Sequence, residues 1–163
     1  MAFSLRSPSF EPQGAIPAKH TCQGDDAAPA LTWSEAPAGT KSFALIVDDP
    51  DAPDPRAPRT VWAHWLLYNL PATARALPEA ATAADLPPGT REGTNDSKRT
   101  GYSGPCPPIG RHRYFHKLYA LDTVLGDLGK PTKSKLEEAM RGHVLEQTEL
   151  MGTYERRAEP QRP

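Results

Sequence analysis

Apolar residues in this chain fall into short runs, mostly alternating with a period of two, and the breaks between runs are filled by proline, glycine and aspartate. The longest unbroken run, Ser42-Phe43-Ala44-Leu45-Ile46-Val47, predicts a strand covered on both faces. Thr60 to Leu70 alternates, with Trp62, His64, Leu66 and Tyr68 expected on one face and Val61, Ala63, Trp65 and Leu67 on the other. A third strand is expected from Arg113 to Leu121. At its entry His112, Tyr114 and His116 share one side, and Arg113, Phe115 and Lys117 the other. Shorter strand candidates are Phe3 to Arg6, Ile16 to His20, Ala30 to Trp33 and, near the end, about Gln147 to Tyr154.

The pattern changes to helical spacing once. Ser134 and Glu137 are spaced as a capping box, and Leu136, Ala139, Met140 and Val144 form one apolar stripe, with Gly142 loosening the last turn. Pro71 to Asn95 is alanine-rich but broken by Pro78, Pro87, Pro88, Gly89 and Gly93, which predicts a surface loop with at most one helical turn. Glu155 to Pro163 reads as a polar, frayed tail.

Composition reinforces this picture. The 163 residues fit a single domain spanning 1–163, and 19 prolines with 12 glycines exceed the roughly 12% of ordinary usage, favouring a mostly β fold with elaborate loops. The balance of 20 acidic against 19 basic residues argues against a nucleic-acid partner. No run approaches the roughly 20 apolar residues of a membrane span, and the N-terminus lacks a signal pattern, so no membrane insertion and a cytoplasmic location are expected. In that compartment Cys22 and Cys106 are expected as free thiols, and the Asn95-Asp96-Ser97 sequon carries no meaning.

Candidate chemistry gathers at two places. Asp48, Asp49, Asp51 and Asp54 follow the central strand, where Pro50, Pro53 and Pro55 are expected to end the ladder; the plain alternative is a solvated turn. The Gly101 to Gly110 loop is poor in backbone donors because of Pro105, Pro107 and Pro108, which leaves Gly104, Cys106, Ile109 and Gly110 to form the rim of an anion pocket. His64 has a competing reading as a core histidine, His143 reads as structural on the helix stripe, and His20 and His116 have no assigned place. A metal held by His64, His112 and an aspartate would imply hydrolysis, but no tight ligand spacing supports it and no metal or other cofactor is expected. Cys106 reads as a packed or ligand-facing neutral thiol rather than a nucleophile.

Taken in order, Thr21-Cys22-Gln23-Gly24, Leu31-Thr32-Trp33, Asp49-Pro50-Asp51-Ala52-Pro53, Trp62-Ala63-His64-Trp65 and Tyr68-Asn69-Leu70-Pro71 resemble the phosphatidylethanolamine-binding protein family in its short bacterial and archaeal branch. The resemblance continues through Gly104-Pro105-Cys106-Pro107-Pro108, Gly110-Arg111-His112-Arg113-Tyr114, Gly142-His143-Val144-Leu145 and Leu150-Met151-Gly152-Thr153-Tyr154. It implies a mostly β fold of two antiparallel sheets in a Greek-key arrangement with one or two peripheral helices. It also implies a ligand-binding pocket built from Asp49, Asp51, His64, His112 and Tyr114, with Trp62, Ala52, Pro53, Gly104, Cys106 and Pro107 as walls. The implied ligand is a small phosphate or other anion such as a phospholipid head group, and the implied role is regulatory, with no catalysis required. A homodimer is also implied. The eukaryotic kinase regulators of this family, such as Raf kinase inhibitor protein, have a further C-terminal helix, whereas here a few polar residues follow Tyr154. Two other readings compete: an inhibitor of a protease or kinase acting through surface loops, and a hydrolase built on the histidines and aspartates.

Overall fold

The computed structural model describes residues 2–157. In chain order its elements are β1 (Ser4–Arg6), β2 (Leu31–Ser34), β3 (Ser42–Ala52), β4 (Thr60–Pro71), β5 (Ala76–Leu77), β6 (Arg91–Glu92), β7 (Arg111–Leu121), α1 (Lys133–Met140) and β8 (Val144–Glu155). Two sheets result, a small one ordered β1-β2-β5 and a large one ordered β6-β4-β3-β7-β8, with every adjacent pair of strands antiparallel. The fold is therefore mostly β with two antiparallel sheets, as the apolar pattern and the motifs predicted.

Burial explains why β3 is so apolar. Phe43, Leu45 and Val47 join Leu5, Trp33, Trp65, Tyr114 and Leu118 in the core facing the small sheet. Ala44 and Ile46 join Leu66, Tyr68, Leu125, Leu136 and Met140 on the opposite side, under α1. Each β3 residue thus loses water on one face or the other, at roughly 25 cal/mol per Å² of apolar surface removed.

Strand β4 departs from simple alternation. Phe43 pairs with Leu70 but Leu45 pairs with Leu67, and Val47 pairs with Trp65 but Asp48 with Ala63. At both places β4 carries one residue more than β3, and each such bulge reverses the phase of the side chains. Leu67 and Leu70 consequently share the inner core, whereas Leu66 and Tyr68 lie on the helix side, away from the face shared by Trp62 and His64. Asn69, at φ 58°, occupies one bulge and is held by Leu125 through two hydrogen bonds of 2.8 and 2.9 Å.

Several other expectations are corrected. The acidic segment does not end the ladder: Asp48 pairs with Phe115, Asp49 with Trp62 and Ala52 with Thr60, and the irregular register between Asp49 and Ala52 absorbs Pro50. Ile16 to His20 is not a strand. Ile16 donates to Thr153, and Pro17 then turns the chain into a 3₁₀ turn at Ala18–His20. The Pro71 to Asn95 stretch holds β5, β6 and a 3₁₀ turn at Ala83–Asp85. The capping box lies there, between Thr82 and Asp85, and not at Ser134, which sits inside α1 after an N-cap of Thr132. Val144 belongs to β8 rather than to the helix, and the exposed His143 hydrogen-bonds Asp122 at 2.8 Å. Of the expected tail, Glu155 ends β8, Arg157 donates to Gln23, and residues 158–163 lie outside those described.

Strand β8 forms one margin of the large sheet. The Gln13 to Ile16 segment covers the outer edge of its later part, through hydrogen bonds with Met151 and Thr153. From Val144 to Gln147 its side chains are exposed, as is Glu149. Among the described residues no helix is long and apolar enough to cross a membrane.

Candidate functional site

At one end of the large sheet, β3, β4 and β7 deliver side chains into a cavity of about 310 Å³. Asp49 and Trp62 are cross-strand partners, the β4 bulge places His64 on their side, and β7 supplies His112 and Tyr114. Ala52, Pro53, Gly104, Cys106, Pro107, Pro108 and Ser97 complete the lining. Of the eleven positions expected from the sequence, only Asp51 does not line the cavity.

The reason is a competing partner. Asp51 is buried and takes three hydrogen bonds from Arg113: the backbone N–H at 2.9 Å, Nε at 3.0 Å and Nη2 at 2.9 Å. This bidentate guanidinium holds the Asp51 carboxyl below its usual range. Asp51 thus secures the start of β7 and through it the positions of His112 and Tyr114.

Asp49 has the other role. One carboxylate oxygen accepts the Asp51 N–H at 2.7 Å, and the other lies 2.6 Å from His112 Nδ1. The second ring nitrogen of His112, Nε2, is 2.8 Å from the Ile109 carbonyl. Both neighbours of the imidazole are acceptors, so both contacts are satisfied together when both nitrogens carry hydrogen. His112 is a fixed part of the wall, anchored to β3 on one side and to the Pro-rich loop on the other.

His64 and Tyr114 are less completely engaged. His64 Nδ1 donates to the Ser103 carbonyl at 2.7 Å, while the Ser103 N–H donates to the His64 carbonyl at 3.0 Å. The opposite nitrogen, His64 Nε2, and the Tyr114 hydroxyl are both buried and lack a partner among the described residues. Their rings meet edge to face with centroids 5.3 Å apart. Burial pushes the His64 imidazole below its ordinary value, against the pull of the Ser103 carbonyl and Asp49, and burial pushes the Tyr114 hydroxyl well above its own. An uncharged imidazole and an intact phenol face the same space.

The loops that shape the mouth were only partly anticipated. Cys22 and Cys106 form a disulfide, which corrects the reading of two free thiols and of Cys106 as a neutral thiol. The Cys22 N–H also donates to the Pro105 carbonyl at 3.0 Å. Gly104 packs so closely against the His20 carbonyl and the Asp26 carboxylate that a Cβ would collide with both, and its N–H donates to Asp26 at 2.8 Å instead of facing the cavity. The sequon also has a structural role. Asn95 donates to Gly101 and Ser103, accepts from Ser97 and Arg99, and sets Ser97 at the cavity, while Asp96 accepts the Ala63 N–H. The Asn-Asp-Ser turn chemistry was the available signal for this wall. His20 supports the same region by bonding the Ala27 carbonyl at 2.8 Å, whereas His116 lies in the core against Phe10. Among the described residues no three His, Cys, Asp or Glu side chains are grouped as metal ligands.

Comparison with known proteins adds an independent line. The family model described as phosphatidylethanolamine-binding protein matches residues 6–155. The UPF0098 protein of Methanothermobacter thermautotrophicus is 46% identical, covering 94% of this chain and 99% of its own, and that of Chlamydia pneumoniae is 45% identical, covering 93% and 98%. Among solved structures, a phosphatidylethanolamine-binding protein homologue from Chlamydia trachomatis is 42% identical with a TM-score of 0.87, covering 96% of this chain and 99% of its own. Escherichia coli YbcL, described as a member of the mammalian family of that name, is 32% identical with a TM-score of 0.87, covering 96% and 100%.

Proposed function

The chain belongs to the phosphatidylethanolamine-binding protein family, and from that premise we propose that it is a binding protein whose cavity holds a small oxyanion, such as a phosphate-bearing head group, in a regulatory role without turnover. The carrying observation is the pair of buried, unpartnered polar atoms, His64 Nε2 and Tyr114 Oη, in the lining of one cavity. A buried polar atom without a partner costs about 1–3 kcal/mol, and a ligand that completes its bonding recovers that cost. His112, held between Asp49 and Ile109, adds a polar wall whose geometry is fixed before any ligand arrives, which limits the ordering entropy of binding.

Titration of inorganic phosphate or phosphoethanolamine, followed by calorimetry and by backbone amide shifts, tests the reading. Saturable binding with shifts at Tyr114, His64 and Cys106 is expected, as is its loss in Tyr114→Phe with the fold intact. Absence of binding, or shifts confined to another surface, would reject it. Incubation of the same samples with phosphate esters measures turnover directly, and release of product would replace a binding role with hydrolysis.

A further inference from the structure

The two open atoms at the cavity differ in what they require. Ser103 presents His64 Nδ1 with a carbonyl oxygen, which only accepts, so Nδ1 bears the ring hydrogen and the neutral ring leaves a lone pair on Nε2. The Tyr114 hydroxyl carries a hydrogen to give. The space between them therefore calls for a group that offers one donor and one acceptor.

The charged groups around His64 do not supply that donor. On β3, Asp49 is shared between His112 and the Asp51 N–H, and Asp48 lies on the far side with Lys117 and Lys133. From the loops, Asp26 is occupied by Gly104, and Arg99 donates to the Ser103 hydroxyl. On β7, His112 is bonded at both nitrogens, and His116 lies in the core without a hydrogen-bond partner among the described residues.

Building on the oxyanion reading, we propose that the cavity selects the hydrogen-bearing form of an oxyacid, a monoprotonated phosphate or phosphate monoester, whose P–OH donates to His64 Nε2 while another oxygen accepts from Tyr114. An anion without hydrogen, such as sulfate, sets a lone pair against the lone pair of Nε2. It binds only if His64 first takes up a proton, which burial disfavours. His64 is then the residue that determines specificity, and the discrimination is between anions of nearly equal shape.

The test compares methyl phosphate with sulfate on the intact protein at about pH 5.5, where a phosphate monoester with a second pKa of roughly 6 largely keeps its hydrogen. Neither probe carries an ammonium group that could donate in place of P–OH. A preference for methyl phosphate of about tenfold or more is expected from the unsatisfied contact in the sulfate complex. Calorimetry in two buffers of different ionisation enthalpy should show little net proton uptake with methyl phosphate and about one proton with sulfate. In His64→Gln the side-chain amide donates without titrating, and the preference should collapse; if that variant does not fold, the calorimetry on the unaltered protein decides. Equal affinities without proton uptake, or a preference that survives in folded His64→Gln, would overturn the selection rule while leaving oxyanion binding in place. Failure of both anions to bind would overturn the oxyanion reading itself.

Discussion

Asp48 and Asp49 are neighbours in the chain and lie on opposite faces of the same sheet. Asp48 is fully buried on the helix side, where Lys117 and Lys133 close over it at 3.2 and 2.9 Å and tie β7 and α1 to β3. Asp49 is buried on the other side, where it holds His112 against a cavity. On the first face two partly exposed cations share one carboxylate oxygen, and the other, Asp48 Oδ1, is packed in without a partner among the described residues. On the second, the atoms without a partner, His64 Nε2 and Tyr114 Oη, belong to residues that line a cavity. The difference separates burial that stabilises from burial that leaves capacity for a ligand.

The largest expected effect tests whether the cavity side is independent of the rest. The Cys22–Cys106 bridge spans 84 residues of sequence, and Cys22→Ser with Cys106→Ser should cost about 4 kcal/mol in urea unfolding and weaken anion binding by loosening the cavity mouth. Unchanged binding in the double variant would show that the mouth is held by its hydrogen bonds alone.

Acid comes next. The His116 imidazole is pushed down to about 4 by burial, which approaches to the Leu150 and Tyr114 backbone only partly offset. In the unfolded chain it titrates near its ordinary value of roughly 6.5. Between those values the unfolded chain binds the extra proton, so the contribution is complete above about pH 6.5 and is lost as pH falls to about 4. The loss amounts to about 3 kcal/mol. His64 is lowered in the same direction and adds to the slope. Unfolding curves across this range should flatten in His116→Leu; an unchanged slope would assign the acid sensitivity elsewhere.

Asp48→Ala addresses the closed face directly. It should cost about 2 kcal/mol, less than breaking a fully buried pair because both lysines can turn to water, and it should leave phosphate binding unaltered. Weakened binding would mean that the two faces are coupled through β3. The smallest stability change belongs to Tyr114→Phe, which removes a buried, unpartnered hydroxyl: a gain of about 1 kcal/mol in unfolding, but a loss of at least about tenfold in affinity.

The sequence was most informative where the local rule held without interruption. In β7 the period of two is unbroken from Arg111 to Ala120, and the shared face of His112, Tyr114 and His116 was legible at once. In β4 two bulges reverse the phase, and nothing in its apolar pattern marks the extra residues. The motifs placed Asp49, His64, His112 and Tyr114 together, but whether Asp51 faces the cavity or Arg113 depends on contacts across strands. The disulfide was hidden for a similar reason, because a separation of 84 residues says nothing of distance in space. The expectation of two free thiols rested on a cytoplasmic location, and their pairing counts against that premise. Ser97 was overlooked because its turn was judged only as a glycosylation signal, whereas Asn95 organises that wall through its amide.

The uncovered part of β8 bears on how copies of the protein coexist at high concentration. A sheet margin with unused backbone groups is a template for another strand, and among the described residues the Gln13 to Ile16 segment blocks only its later portion. Over the earlier portion Glu146 and Glu149 are exposed, so two such margins approaching each other bring like charges together. Charge of one sign on such a margin disfavours its pairing with a second copy of itself, a role far removed in kind from that of the buried carboxylates at the cavity.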